Sequence, residues 1–261
     1  MSLVVAVWQA AGTPADVPAN LSALARTATE ARENGADVLI TPEMFITGYE
    51  LGGRLPDIAD ADFLTPAREL AQDLGIALVL GGPDPTPEGI YNAAYFIDSS
   101  GEITGRYRKS HLFGELDRQQ FVAGDRPFAM VTCRGVRIAV MICYDVEFPE
   151  FVRAAALAGA HLVAVPTAQM TPFSFIAEQV VRVRAWENQV YVAYANHHGK
   201  EATLTYVGRS SIVAPDATVL DAIVDGEGLV YATVDPAVVE RAQAENPYLT
   251  DRIQRLYRDL M

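Results

Sequence analysis

The stretch Val140-Met-Ile-Cys-Tyr-Asp-Val-Glu-Phe-Pro-Glu150 decides how this chain folds. Residues 136–142 form an apolar run that leads directly into Cys143, and this run predicts a buried strand. Pro149 favours the start of a helix, because the first turn of a helix does not use the N–H that proline lacks. The stretch therefore predicts a strand, a short turn and a helix, which is the repeating unit of a layered α/β fold.

Strand-like and helix-like runs alternate on both sides of this stretch. The order βαβαββ occurs twice, so we predict two similar halves built from buried strands with helices between them. We predict strands at residues 4–8, 37–41, 76–80, 91–98, 103–109, 136–142, 161–165, 190–195, 209–214, 218–224 and 229–234. We predict helices at residues 18–33, 66–74, 149–158 and 173–188.

No Ser/Gly-rich linker or run of charges divides the 261 residues, so we expect a single domain over residues 1–261. Its C-terminal tail, at about residues 246–261, carries apolar side chains at helical spacing. These side chains are Leu249, Ile253, Leu256, Tyr257 and Leu260. We expect this apolar face to pack either against its own domain or over a partner subunit.

The composition excludes several classes of protein. The formal net charge of −13 argues against binding to nucleic acid and against docking on anionic lipid, since both need a basic surface. No apolar run approaches the ~20 residues of a membrane-spanning helix, and the N-terminus lacks the basic region of a signal peptide. Two cysteines are too few for a disulfide framework or a Cys-rich zinc site, so we expect a cytoplasmic protein with reduced thiols.

Three chemically capable residues come at the ends of predicted strands: Glu43, Lys109 and Cys143. Strand ends are where sheet proteins present reactive groups, so a carboxylate base, a cation and a thiol nucleophile can meet there. Lys109 is one of only two lysines, which hints that its compact ammonium is needed. Cys133 lies inside a strand, and we expect it to be structural.

Other catalytic arrangements fit the sequence less well. The chain lacks a Gly-x-Ser-x-Gly elbow, a papain-type signature and a Gly-rich phosphate loop. Among the histidines, His161 opens a predicted strand, while His197 and His198 lie in a polar turn. His111 follows Lys109 closely and remains an alternative base, as does Glu115.

The three strand-end residues and their neighbours resemble the Glu-Lys-Cys triad of the nitrilase superfamily of carbon–nitrogen hydrolases. The motifs are Glu43 in Pro-Glu-Met-Phe, Lys109 in Tyr-Arg-Lys-Ser-His-Leu-Phe, and Cys143 in Ile-Cys-Tyr-Asp-Val-Glu-Phe-Pro-Glu. Asn92-Ala and the stretches 184–188 and 208–216 extend the resemblance over essentially the whole chain. The resemblance implies an α/β fold of four layers, an αββα sandwich, and usually a homodimer that extends it.

Within that superfamily the chain is most similar to small bacterial amidases, some of which cleave ω-amino amides while others are stereoselective. Residues 111–118, 166–173 and 246–252 carry this similarity, and Tyr144-Asp145 after the cysteine is common in the amidase branches. True nitrilases typically have Trp-Glu there. The resemblance implies hydrolysis of a small aliphatic carboxamide to the acid and ammonia through a Cys thioester. A nitrilase, an N-carbamoyl amide hydrolase and a non-catalytic binding protein of the same fold remain as alternatives.

The resemblance also implies roles for individual residues. Glu43 is the acid–base group, and Lys109 with the backbone N–H of Tyr144 holds the oxyanion, so the reaction needs no metal or organic cofactor. Some family members place a second glutamate shortly after the lysine. Here Glu115 and Asp117 both fall in that window, and we favour Glu115 because it keeps the residue type.

We expect the pocket for the small-molecule substrate to be built from loops at the same strand ends. Its predicted lining is Tyr49, Phe113, Tyr144, Glu147, Phe148, Gln169 and Met170. The acidic residues Glu115, Asp145 and Glu147 are candidates to accept a substrate ammonium, which would suit an ω-amino amide.

Overall fold

Two six-stranded β-sheets form the centre of the computed structural model, which describes residues 2–257. The strands are β1 (Leu3–Gln9), β2 (Val38–Ile40), β3 (Ala77–Thr86), β4 (Gly89–Ile97), β5 (Ile103–Arg108), β6 (Ala129–Cys133), β7 (Val136–Val140), β8 (Leu162–Thr167), β9 (Tyr191–Asn196), β10 (His198–Glu201), β11 (Leu204–Val207), β12 (Ser211–Val213), β13 (Val219–Ala222) and β14 (Gly228–Val234). The α-helices are α1 (Val17–Glu33), α2 (Leu55–Ala59), α3 (Leu64–Leu74), α4 (Gly114–Gln120), α5 (Pro149–Leu157), α6 (Val181–Asn188), α7 (Pro236–Glu245), α8 (Tyr248–Asp251) and α9 (Gln254–Tyr257).

The two sheets share one pattern of strand directions. The first has the order β14-β1-β2-β3-β4-β5, and the second has the order β6-β7-β8-β9-β12-β13. In each sheet the second, third and fourth strands are parallel, and the first and fifth strands are antiparallel to them. The sixth strand is antiparallel to the fifth. The prediction of two similar halves is therefore confirmed. The strand predicted at residues 229–234 follows the second half along the chain, but as β14 it pairs with β1 and completes the first sheet.

Alternation along the strands explains the layers. In β1, Val5 and Val7 face the core between the two sheets, whereas Ala6 and Trp8 face the outer core under α1 and α3. On the second sheet, α5 and α6 contribute buried side chains such as Val152 to the same continuous core. Helices thus cover both outer faces, and the predicted four-layer αββα sandwich is confirmed.

Several predicted elements differ from the structure in detail. The helix predicted at residues 173–188 begins as a π-helical turn, Ile176–Val180, and continues as α6. The polar hairpin of β10 and β11 was not predicted, because its strands lack the apolar alternation that signals a half-buried strand.

The tail does not form the single amphipathic helix that its spacing suggested. Between α8 and α9, Arg252 is extended, and a four-residue turn is too short to be stable on its own. Leu249 packs against the core, while Ile253, Leu256 and Tyr257 are exposed. Leu260 lies outside the described residues. The division into one domain and a tail from about residue 246 stays a prediction.

No helix within residues 2–257 is long and apolar enough to cross a membrane.

Candidate active site

Glu43 lies where the chain leaves the carboxyl end of β2. Its backbone passes so close to β3 that a Cβ on Gly81 would overlap the carbonyl oxygen of Pro42. The Glu43 side chain is fully buried. Glycine at position 81 therefore allows the loop after β2 to pack closely against β3, which places the Glu43 carboxylate in the interior.

Lys109 follows β5 directly and meets the same carboxylate. Its Nζ donates to Glu43 Oε1 over 2.7 Å, and the Asn92 side chain donates to the same oxygen over 2.6 Å. The other oxygen, Glu43 Oε2, is buried and has no hydrogen-bond partner within residues 2–257. A buried carboxylate oxygen without a donor is costly, and this oxygen keeps its capacity to accept a hydrogen bond or a proton.

Asp117, rather than Glu115, is the second acidic group of the site. It is fully buried, and its Oδ2 accepts from Lys109 Nζ over 2.7 Å. The same Oδ2 also accepts from the Phe113 N–H over 2.8 Å, and Oδ1 accepts from the Tyr49 hydroxyl over 2.5 Å.

The prediction of Glu115 for this place was wrong. The Glu115 side chain is 75% exposed and contacts Gln119 and Arg118 on the surface of α4. Side chains two positions apart on a helix point to different sides, so only one of Glu115 and Asp117 can face the lysine. The start of α4 at Gly114 sets which one does.

Cys143 lies at the end of the segment that follows β7, at the first residue of a short 3-10 turn, Cys143–Glu147. Its φ of +46° is in the left-handed region, a backbone conformation that residues other than glycine rarely adopt. The surrounding structure must stabilise it. The buried carboxylate of Asp145 fixes this turn. It accepts from the Tyr107 hydroxyl over 2.8 Å and from the His111 N–H over 2.9 Å.

The cysteine sulfur has few partners. Its thiol is 3.9 Å from Gln169 Oε1, and the backbone N–H of Ala168 faces it. Burial and the nearby Glu43 carboxylate raise the pKa of the Cys143 thiol well above its usual value, although Lys109 opposes the shift. A raised pKa favours the protonated thiol, so a reaction that uses this sulfur as a nucleophile needs a base to take its proton.

The charges of Glu43 and Lys109 depend on each other. Burial raises the pKa of Glu43, with Lys109 lowering it and Asp117 raising it further. Burial lowers the pKa of Lys109, but the attraction of Glu43, Tyr49 and Asp117 outweighs this and raises it well above its usual value. The lysine therefore stays an ammonium, and the glutamate has the raised pKa that suits a proton acceptor.

A small cavity opens beside the cysteine. It is lined by Tyr49, Phe113, Cys143, Tyr144, Glu147, Ala168, Gln169 and Met170. Phe148, predicted as a lining residue, lies outside this set and stacks on His111 at 3.7 Å between ring centroids. Pro149 follows it and starts α5, and the Phe148 and Phe151 ring centroids are 6.5 Å apart.

Glu147 is the charged residue of this cavity lining. Its side chain makes no hydrogen bond or ion pair with the described part of the chain. Burial raises the pKa of Glu147 to about 7, although Arg184 and Lys109 oppose the shift. Arg184 itself donates to the carbonyl oxygens of Val146 and Glu147, and so holds the backbone of the turn.

Sequence reasoning missed two contributors to the site. Asn92 was noted only as part of a motif, yet it holds the Glu43 carboxylate. A polar residue inside the otherwise apolar run 91–98 was the signal that could have identified it. Ala168 lines the cavity through its place beside the cysteine, and no local pattern marks it.

The remaining candidates lie elsewhere. His161 accepts from the Arg137 N–H at the start of β8. Cys133 ends β6 as a free, half-buried thiol, and burial raises its pKa to about 11. Neither side chain lines the cavity beside Cys143.

Comparison with known proteins identifies the family. The carbon-nitrogen hydrolase family profile matches residues 4–244, so the chain belongs to this family. It is therefore a carbon–nitrogen hydrolase with a catalytic cysteine, as the resemblance of its motifs implied.

Three relatives show which members are similar. A Pseudomonas protegens protein named hydrolase in pqqF 5' region is 43% identical, covering 98% of this chain and 91% of the relative. An (R)-stereoselective amidase from a Pseudomonas species is 33% identical, covering 94% and 89%. The crystal structure of an amidase from a Nesterenkonia species has a TM-score of 0.90 and 34% identity, covering 99% and 96%. In a variant of that amidase, the acetamide moiety of fluoroacetamide is added covalently at the active-site cysteine.

Proposed function

We propose that this enzyme hydrolyses small aliphatic carboxamides, including amino-substituted ones, to the carboxylic acid and ammonia through a thioester on Cys143. The carrying observation is the buried Glu43–Lys109 pair, with an unpaired carboxylate oxygen, at the strand ends that also hold the cysteine. The amidases among its relatives support an amide as the substrate.

The first half of the reaction forms the thioester. Glu43 takes the thiol proton, and the Cys143 sulfur attacks the amide carbonyl carbon. The oxyanion is held by Lys109, whose ammonium has a third N–H beyond the two that bind Glu43 and Asp117. The N–H of Tyr144 lies in the first turn of its short helix, where no intrahelical partner exists, and supplies a second donor. Each such donor is worth ~3–4 kcal/mol of barrier.

The second half releases both products. Glu43 protonates the amide nitrogen, the C–N bond breaks and ammonia leaves. Water then attacks the thioester while Glu43 accepts its proton, and the acid is released with the thiol restored. In this proposal Asp117 does not touch the substrate. It keeps Lys109 charged and aimed, since a lysine between two carboxylates has both its position and its charge fixed.

Glu147 is the residue on which we base the proposal that amino-substituted amides are substrates. Its half-buried carboxylate has no protein partner in the part of the chain that the structure describes, and it lies in the same cavity as the cysteine. A substrate ammonium would supply the missing partner, and a substrate carboxylate would be repelled. Phe113 and Tyr144 form the apolar walls for the acyl chain between these two ends.

Release of ammonia from a panel of short amides and nitriles tests this function. We expect turnover of neutral and amino-substituted amides, and no turnover of the matching nitriles. Ammonia from a nitrile but not from the matching amide would select the nitrilase alternative, and carbon dioxide released with ammonia would select an N-carbamoyl amide hydrolase. A chain that releases neither product, and whose Cys143 fails to react with a thiol reagent, would be a non-catalytic binding protein.

We also propose that the protein is a homodimer. An open groove of about 850 Å³ lies between α5, α6 and the tail, and it exposes Leu157, Val183 and Trp186. Apolar side chains in such a contiguous patch mark an interaction site. A second copy of the chain is the proposed occupant, since the resemblance to the nitrilase superfamily implies a homodimer. Light scattering should give about twice the chain mass, and Trp186→Glu should shift it towards one chain mass. A wild-type protein at one chain mass would contradict the dimer.

Two reduced thiols, Cys133 and Cys143, are consistent with the cytoplasm that we propose as the location. The partners proposed for the chain are thus a small amide and a second copy, without nucleic acid or membrane.

A further inference from the structure

A set of buried polar contacts meets the backbone of Glu43. His197, which is 1% exposed, places its Nε2 2.6 Å from the backbone carbonyl oxygen of Glu43. A carbonyl oxygen only accepts, so Nε2 donates the proton. The other ring nitrogen, Nδ1, is buried and has no partner within the residues described. The imidazole is therefore a fixed donor to the segment that carries the proposed base.

The His197 ring is held in turn by the β10–β11 hairpin. It stacks on Tyr206 with 4.9 Å between ring centroids. The Tyr206 hydroxyl donates to Glu201 over 2.7 Å, and the 3% exposed Glu201 carboxylate also accepts from the Tyr49 N–H over 2.7 Å. Gly48 allows this approach, because a Cβ there would lie 2.8 Å from Glu201 Oε1.

Tyr49 connects the hairpin to Lys109 through Asp117. Its hydroxyl donates to Asp117, and Asp117 holds Lys109. We call His197, Tyr206, Glu201 and Tyr49 the hairpin network. One end of the network meets Glu43 through its carbonyl, and the other end meets Lys109 through Asp117.

The same hairpin also positions one wall of the cavity. The Val207 N–H donates to the Gln169 carbonyl over 3.0 Å, and the Thr171 N–H donates to the Thr205 carbonyl over 2.8 Å. Movement of the hairpin would therefore shift the cavity wall and the Glu43–Lys109 pair together.

We infer that the hairpin network positions Glu43 and Lys109 for proton transfer, with His197 as its principal positioning residue. No member except Tyr49 reaches the cavity, so His197, Tyr206 and Glu201 act through other groups. Proton transfer requires the carboxylate within hydrogen-bond reach of the moving proton, and a misplacement of about 1 Å can cost ~10²-fold in rate. The inference rests on the proposed function only in taking Glu43 as the acid–base group.

The test compares an amide with an activated ester of the same acyl group. Ester leaving groups need little protonation, whereas the amide nitrogen must be protonated by Glu43 before it departs. In His197→Leu we expect kcat for the amide to fall ~30-fold or more, with KM within about threefold. The ester rate is measured as release of the leaving group in the first turnover, which uses Glu43 only for the thiol proton, so this rate should fall much less. His197→Gln, whose side-chain N–H can still donate to the carbonyl, should recover part of the amide rate.

Tyr206→Phe gives a second variant that keeps the stacked ring and removes only the hydrogen bond to Glu201. Tyr95→Phe is its matched control, since the Tyr95 hydroxyl donates over 2.9 Å to the Pro83 carbonyl in the outer core, away from the cavity. We expect Tyr206→Phe to lower the ratio of amide to ester rates and Tyr95→Phe to leave that ratio unchanged. Thermal unfolding of each variant shows that the chain is folded.

The inference is overturned if folded His197→Gln and Tyr206→Phe keep the wild-type ratio, or if amide and ester rates fall equally. If His197→Leu does not fold, these two variants decide the outcome. Failure of the proposed function is a different result: the wild-type chain would then cleave the ester but no amide at all.

Discussion

The two halves of the molecule share a strand pattern but prepare their reactive groups in opposite ways. The first half supplies Glu43 and Lys109 with short hydrogen bonds of 2.6 and 2.7 Å. The second half supplies Cys143 with a left-handed backbone and a single distant side-chain contact of 3.9 Å. In the proposed mechanism, the proton-transfer groups are thus fixed before substrate arrives, while the cysteine has few partners among residues 2–257 until Glu43 takes its proton.

The largest expected effect lies in the second half. Cys143→Ala should abolish turnover, because no other group in the cavity can form the thioester. Cys133→Ala is the matched control and should keep activity within a few-fold, since that thiol lies at the end of β6. Ammonia release and intact-chain mass after incubation with amide measure both variants. An essential Cys133 beside a dispensable Cys143 would reverse the assignment of the nucleophile.

The next effect lies in the first half, at the cation. Lys109→Arg should lower kcat/KM ~10²–10³-fold, nearly as much as Lys109→Ala, because a planar guanidinium does not replace a compact donor between two buried carboxylates. Steady-state kinetics measure the loss, and thermal unfolding shows whether the fold persists. Retention of more than about a tenth of the activity would make the lysine a merely structural charge.

Asp117 and Glu115 separate the buried acid from its exposed neighbour. Asp117→Asn removes the negative charge beside Lys109. The variant should lower kcat about tenfold or more, since the ammonium loses one of its two carboxylate partners. Glu115→Gln changes a side chain that is 75% exposed and should stay within a few-fold. Equal losses in the two variants would contradict the assignment.

The smallest effect is a dependence of substrate preference on pH. The pKa of Glu147 is raised to about 7, so the carboxylate is ionised above that pH and neutral below it. The ratio of kcat/KM for an amino-substituted amide to that for its neutral analogue should therefore rise as the pH increases through about 7. Glu147→Gln should flatten this rise. A ratio that is independent of pH in the wild-type enzyme would show that Glu147 does not contact the ammonium.

Much of the fold and the three triad positions could be predicted from the sequence. Apolar runs such as 136–142 locate buried strands, and reactive residues at their ends converge wherever parallel strands meet. Local patterns place Glu43, Lys109 and Cys143 at strand ends, and the resemblance of their motifs to the nitrilase superfamily is what joins them into a proposed triad.

The rest depended on geometry that local patterns do not contain. The choice between Glu115 and Asp117 turns on the rotation of α4 about its axis, which the sequence leaves open by one or two residues. His197 contacts a residue 154 positions away, and a polar turn gives no sign of such a contact. Phe148 lies outside the cavity lining and stacks on His111, because a place near the cysteine in sequence does not determine which way its ring points.

The most direct test of the account is Glu43→Gln, which keeps the size of the side chain and removes its ability to accept a proton. Rapid measurement of ammonia release and of acyl-enzyme mass separates formation of the thioester from its hydrolysis. The account predicts that both steps slow ~10²–10⁴-fold while the chain stays folded, because one carboxylate serves the thiol, the leaving nitrogen and the water. A slow build-up of acyl mass on Cys143 with an activated ester should remain visible. Turnover of simple amides at near wild-type rates by Glu43→Gln would contradict it, and the base would then have to be another group.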